Sequence, residues 1–250
     1  MSISSFTPLK KGKIRLLSFA DDIPPKNDAP MSLRLTVVKL HEAPPYTALS
    51  YEWGPPSESK SILLNETPIP IRDNLFAFLQ RYRESGQGGY LWIDALCINQ
   101  SDVTERGQQV GIMGEVYRKA IRVVAWLGSG PPKLVEAFRE LAEVVRRFPI
   151  LHLPFGASFE LPEQSRLEED QISAFRVLSS SNLVTQSVSE VGQSTYWTRL
   201  WIIQEFVLAK DAEIWCGRAD VWTFSEILQY ALRLAPDDEL VLFVSAMAKS

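Results

Sequence analysis

Glu205 is the residue best placed by type and context to do chemistry. It lies in Tyr196 to Ala209, YWTRLWIIQEFVLA, a run that is apolar almost all round. Such a run reads as an interior helix, on which Glu205 shares a face with Thr198, Trp201, Ile202, Leu208 and Ala209. A carboxylate there costs free energy unless it is paired, protonated or turned to a cavity. A structural ion pair with an arginine and a functional carboxylate stand as equal readings. Asp94, at the end of the apolar run Tyr90 to Ile93, is the second candidate. Holding its loop is the first reading for Asp94, and ligand contact the second. Asp102 and Glu105 fit a capping box that opens a helix, a structural role for both. Cys97 would need a histidine to act as a nucleophile, and nothing places His41 or His152 beside it, so a small buried thiol is preferred. Gly128-Ser129-Gly130 follows a strand, but two prolines and Lys133 break the dinucleotide fingerprint, and it reads as a turn. The tryptophans read as core, although Trp53, in a strand-end loop, could stack on a base.

The elements that must position these residues centre on Gly89 to Gly128. Tyr90 to Ile93 and Ile121 to Leu127 are strands, joined by a helix with Val110, Met113, Tyr117 and Ala120 at helical spacing. Two apolar strands joined by a helix make a βαβ unit and imply a parallel sheet covered on both faces. Chemistry in such sheets collects at the carboxyl ends of the strands. Earlier strands are expected at Ile14 to Phe19, Leu33 to Leu40 and Thr47 to Tyr51, the last stopped by Trp53-Gly54-Pro55-Pro56. Ser61 to Leu64 and Pro68 to Ile71 flank Asn65-Glu66 as a hairpin whose prolines favour a sheet edge. Asp73 is expected to cap a helix through Arg83 with Leu75, Phe76 and Leu79 on its apolar side. Residues 131–195 read as a helical and loop insertion into a single domain with its core at about 14–216. A short strand at Ala212 to Cys216 and a helical extension over 217–250 complete the chain.

Composition sets the outer bounds. The chain has 250 residues, 46% hydrophobic and 22% charged, as a soluble globular domain would. A net charge of −4 gives no electrostatic case for nucleic acid or an anionic membrane. Two cysteines and two histidines make a disulfide framework or a metal cluster unexpected. The start lacks the apolar core of a secretory signal, and LVLFVSAMA near the end is too short to span a bilayer. A soluble cytoplasmic protein without a prosthetic group is the expectation.

Three blocks in order resemble the heterokaryon-incompatibility (HET) domain of fungi. They are YTALSYEWG at Tyr46 to Gly54, the stretch Leu91 to Gly128, and YWTRLWIIQEF at Tyr196 to Phe206. The resemblance implies a role in fungal nonself recognition, in which activation of the domain leads to growth arrest or cell death. HET domains are in turn similar to TIR domains, which implies an α/β, flavodoxin-like and mainly parallel sheet flanked by helices. The N-terminal β segment, the hairpin and the helical insertion would be additions. Ala48 to Tyr51, Trp92 to Asp94 and 121–127 resemble the first three TIR strands. Trp201-Ile202-Ile203-Gln204-Glu205 resembles the W-x-x-x-E run of TIR domains that cleave NAD, with Glu205 on their catalytic glutamate. That likeness implies NAD or a related nucleotide as substrate, with Ser50, Tyr51, Trp53, Asp94 and Trp201 lining its site. It also implies self-association on activation and other signalling proteins as partners. Two rival readings are kept, a non-catalytic assembly module and a nucleotide-binding domain without cleavage.

Overall fold

A computed structural model describes residues 6–20, 30–56, 60–136, 139, 193–199, 205, 208–218 and 222–223. The elements are β1 (Lys13–Phe19), β2 (Ser32–Lys39), β3 (Tyr46–Tyr51), β4 (Lys60–Leu64), β5 (Thr67–Ile71), α1 (Asp73–Glu84), β6 (Tyr90–Trp92), α2 (Asp94–Cys97), α3 (Val103–Lys119), β7 (Arg122–Trp126), β8 (Ala212–Trp215) and β9 (Trp222–Thr223). The chain divides into two compact units, Met1–Ser129 with Leu200–Glu213, and Gly130–Arg199 with Ile214–Ser250.

The first unit is built on β3, all six of whose residues are buried. A strand without a polar face must be covered on both sides and flanked on both edges. β6 and β7 supply the edges, both parallel to β3, with Ala48 opposite Trp92 and Val123, and Ser50 opposite Ala125. Strands in register share a face, so Ala48, Ser50, Trp92, Val123 and Ala125 look one way and Leu49, Tyr51, Val124 and Trp126 the other. The Tyr117 ring of α3 meets Trp92 edge-on at 5.4 Å, and the Phe78 ring of α1 meets Trp126 at 5.9 Å. The two helices therefore cover opposite faces. The Tyr117 hydroxyl donates to Leu49 O at 3.0 Å and the Tyr46 hydroxyl to Val116 O at 2.5 Å, tying α3 to the central strand.

The sheet is mixed, not mainly parallel. Its order in this unit is β5-β4-β2-β1-β6-β3-β7. β1 runs antiparallel to both β2 and β6, and β4 antiparallel to β5, while β2 and β4 are parallel. The β4–β5 connection is the two-residue turn Asn65-Glu66, and a direct reversal of that kind gives an antiparallel pair. Asn65 and Glu66 both have positive φ, 48° and 66°, as a two-residue hairpin turn requires. β5, with Pro68 and Pro70, is the outermost strand, as its prolines dictate.

Several local expectations change. The buried stripe of α3 is Glu105, Gln109, Met113, Val116 and Tyr117, while Val110 is exposed. Two polar residues take the inward positions because their side chains find partners: Gln109 donates to Lys13 O at 3.0 Å and Glu105 binds Arg15. Asp102 caps α3 through Thr104 and Glu105 N–H, both at 3.0 Å. The Glu105 carboxylate does not complete a capping box; Arg15 and the Asn99 N–H hold it instead. On α1 the buried side is Leu75, Phe78, Leu79 and Tyr82, with Phe76 half-buried beneath Lys60.

In the second unit Gly130 precedes helical backbone that starts at residue 132, with Leu134 buried. A 3-10 turn, Thr195–Thr198, buries Tyr196 and Trp197, whose rings meet edge-on at 5.0 Å. Arg199 is then extended (φ −76°, ψ 130°), so the helix expected from Tyr196 onward does not run unbroken through it. Most of the 131–195 insertion, residues 200–204 with Trp201, and the helices expected after 223 lie outside the described residues. Among the described residues no helix is long and apolar enough to cross a membrane, and no group of three His, Cys, Asp or Glu could hold a metal ion.

Candidate functional site

Alternation along β3 turns Ser50 toward the α3 side of the sheet, on a floor of small residues, Ala48 and Ala125. The Ser50 hydroxyl donates to Glu205 Oε2 in a very short hydrogen bond. Ser50 is 1% and Glu205 3% exposed, so this is a buried carboxylate met by a buried donor at the carboxyl end of the central strand. Leu208, three residues after Glu205, lies against α3. A Cβ on Gly114 would stand 3.2 Å from Leu208 Cδ1.

A second group lies just beyond the end of β3. Trp53, 36% exposed, donates its indole N–H to Asp94 Oδ2 at 2.9 Å. Asp94 Oδ1 accepts the Ala95 N–H at 2.7 Å, and its carbonyl accepts from Gln100 Nε2 at 3.0 Å. Asp94 therefore braces its own loop and also positions an aromatic ring. Arg72 reaches across from the start of α1: Nη1 donates to Gly54 O at 2.6 Å and Cζ stands 5.4 Å from the Trp53 ring centroid. Asn74 Nδ2 donates to Glu52 O at 2.6 Å, while its Oδ1 accepts the Trp126 indole N–H at 2.9 Å. The 52–54 loop is thus fixed from α1 and from the start of α2.

Of the residues singled out from sequence, Ser50 meets Glu205 and Trp53 meets Asp94. Tyr51 is buried and faces the other side of the sheet, beside Trp126. Arg72 and Asn74 went unrecognised; before the hairpin is folded, nothing in their spacing points to the 52–54 loop. Cys97 is buried, and burial pushes its thiol up to about 12, the state of an inert side chain. A buried arginine–carboxylate pair is present at Glu105, with Arg15.

Comparison with known proteins places this geometry in context. Residues 46–205 match the family model described as "Heterokaryon incompatibility protein (HET)". "Heterokaryon incompatibility protein 6, OR allele" of Neurospora crassa is 32% identical over 197 residues, covering 70% of this chain and 29% of that protein. "Vegetative incompatibility protein HET-E-1" of Podospora anserina is 25% identical over 164 residues, 59% of this chain and 11% of that protein. The chain thus spans less than a third of the length of either relative. No solved structure matches.

Proposed function

We infer the function from one premise: this chain belongs to the heterokaryon-incompatibility (HET) family, by the match over residues 46–205 and the 32% identity to the Neurospora protein. We propose that it is the effector module of a fungal nonself-recognition protein and that it cleaves NAD at the nicotinamide–ribose bond, with Glu205 as the catalytic carboxylate. The observation that carries this reading is the Ser50–Glu205 hydrogen bond at the carboxyl end of β3. The central order β6-β3-β7 supports it. Counted from β3 it is 2-1-3, the order of flavodoxin-like sheets, whose ligands bind beyond the carboxyl ends at the switch between strands 1 and 3. On this view β1, β2, β4 and β5 are an addition to one side of a TIR-like core. Fold likeness alone carries no activity; the reading rests on where the carboxylate sits.

Breaking the bond leaves positive charge on the ribose anomeric carbon, and a fixed carboxylate beside it stabilises that charge. Nicotinamide departs as a neutral base with the bonding electron pair. Water adds to the anomeric carbon and loses a proton. Ser50 orients Glu205 by holding Oε2.

A second reading has a specific observation behind it. At 3% exposure Glu205 is shielded, as in a module that signals by self-association with its hydrogen bond purely structural. The first reading then requires the shield to open on activation. The test is nicotinamide release from NAD by the purified chain, free and fused to an oligomerising partner, against Glu205→Gln. Turnover in the oligomer that the variant loses is expected. No turnover in either form ends the enzymatic reading, and an active Gln variant ends the assignment of Glu205.

A further inference from the structure

We propose that Trp53, Arg72 and Asp94 form a preorganised platform for a phosphorylated planar base, with the base stacked on Trp53 and its phosphate held by Arg72. This deepens the NAD reading by naming what would grip the adenine half of the substrate.

An indole that is 36% exposed usually has rotamer freedom to lose on binding. Trp53 has little. Asp94 holds its N–H at 2.9 Å, and Arg72 lies against its ring at 5.4 Å. Its own loop is tied down on either side, through Glu52 O to Asn74 and through Gly54 O to Arg72. Gly54, at φ +71°, makes the turn that brings its carbonyl to Arg72. A fixed aromatic surface stacks on a base at a reduced ordering cost, and any base offers a face to it.

Arg72 supplies the second half of the argument. Its Nη1 is committed to Gly54, but among the described residues Nε and Nη2 have no acceptor. A guanidinium already immobilised on an aromatic ring, with donors to spare in a planar fork, suits phosphate oxygens. The Asp94 carboxylate does not oppose this strongly, because each of its oxygens accepts an N–H. The platform also lies close to the proposed reaction centre. Trp53 follows Ser50 by three residues, so their Cα atoms are at most about 11 Å apart. A ribose and diphosphate can bridge such a gap.

The experiment is calorimetric titration of the 250-residue chain with AMP, adenosine and inorganic phosphate, with melting curves to verify folding of each variant. AMP is expected to bind at least about tenfold more tightly than adenosine, because of the charge-assisted contact to Arg72. Arg72→Gln should lower AMP affinity by more than it lowers adenosine affinity, closing most of the gap between the two ligands. Trp53→Ala should weaken AMP about ten- to hundredfold, and Trp53→Phe should restore most of that by keeping a stacking face. Failure of the folded wild type to bind AMP overturns the proposal, as does AMP affinity unmoved by Trp53→Ala and Arg72→Gln. Glu205→Gln separates the two claims. If NAD binds through Trp53 and Arg72 but is not cleaved, the platform stands and the cleavage reading falls. If Glu205-dependent cleavage keeps its full kcat/KM in Trp53→Ala and Arg72→Gln, the platform falls and the cleavage reading stands.

Discussion

Replacing Glu105 by glutamine should destabilise the first unit by about 3–5 kcal/mol, the cost of stranding a buried charge. Arg15 and Glu105 are among the most enclosed charges described, with side chains 2% and 4% exposed. They meet as two parallel bonds, Nη1 to Oε1 at 2.6 Å and Nη2 to Oε2 at 2.9 Å. The guanidinium also donates to Cys97 O and Thr7 O, and the Phe6 ring centroid lies 4.3 Å from Cζ. Glutamine keeps the shape but loses the charge and turns an amide NH2 toward a group that only donates. For a chain of this size about 2–4 °C of melting midpoint is expected per kcal/mol, so the midpoint should fall roughly 6–20 °C. Circular dichroism melts at low and high salt measure this, and the drop should be nearly salt-independent because the pair is enclosed. A drop equivalent to less than about 1 kcal/mol, the size of a surface pair, would refute the reasoning.

The same pair has a pH signature. Burial alone would raise the pKa of Glu105, but the hydrogen bonds from Arg15 and the Asn99 N–H, with the guanidinium charge, outweigh it and hold the carboxyl below its ordinary 4.5. A depressed carboxylate contributes its stability above the unfolded value and loses it as pH falls through the folded one. The gap between wild type and Glu105→Gln should therefore be full above about pH 4.5 and close as pH drops below it. The effect reaches the candidate site, since Arg15 and Glu105 hold Cys97 O and the Asn99 N–H in the loop that begins at Asp94.

Three further outcomes are expected. Cys97 and Cys216, each pushed up to about 12 by burial, should resist iodoacetamide at neutral pH in the native protein and react on unfolding; mass spectrometry showing native labelling at free-cysteine rates would contradict this. Gly130→Ala should lower the melting midpoint, because φ is +69° and a Cβ would stand 2.7 Å from Cys216 Sγ; the left-handed backbone alone costs about 1–2 kcal/mol, and an unchanged midpoint would count against the packing described. Asp102→Ala should cost about 1 kcal/mol through the lost cap of α3, measured by urea denaturation, and Asp102→Asn should recover most of it.

Local chemistry made much of the fold legible. β1, β3, β6 and β7 are apolar or β-branched runs between breakers, and their positions follow from that. Asn65-Glu66 announced a turn, Pro68 and Pro70 an edge, and Asp102 a helix start. Strand direction was less legible, because the same apolar run serves either direction and only the connection decides. The inward face of α3 was harder still. Val110 looked like core by type, yet Gln109 and Glu105 point inward because Lys13 O and Arg15 are there to receive them. Arg15 lies 90 positions away from Glu105, and no local pattern encodes a partner at that distance.

Glu205 shows what a sequence anomaly can and cannot say. A carboxylate in an apolar run declares that something must satisfy it, but not what. Among the described residues two buried carboxylates, Glu105 and Glu205, pose that problem. Glu105 is neutralised by a guanidinium with two-point geometry, which anchors a loop. Glu205 is met by the hydroxyl of Ser50, 155 positions away, at the carboxyl end of the central strand. A hydroxyl hydrogen bond fixes where a carboxylate oxygen points, and a fixed carboxylate is what the proposed stabilisation of a cationic transition state uses. Ala48 and Ala125 share the face of the sheet from which Ser50 makes that bond, so the hydroxyl reaches Glu205 from a strand surface of small side chains.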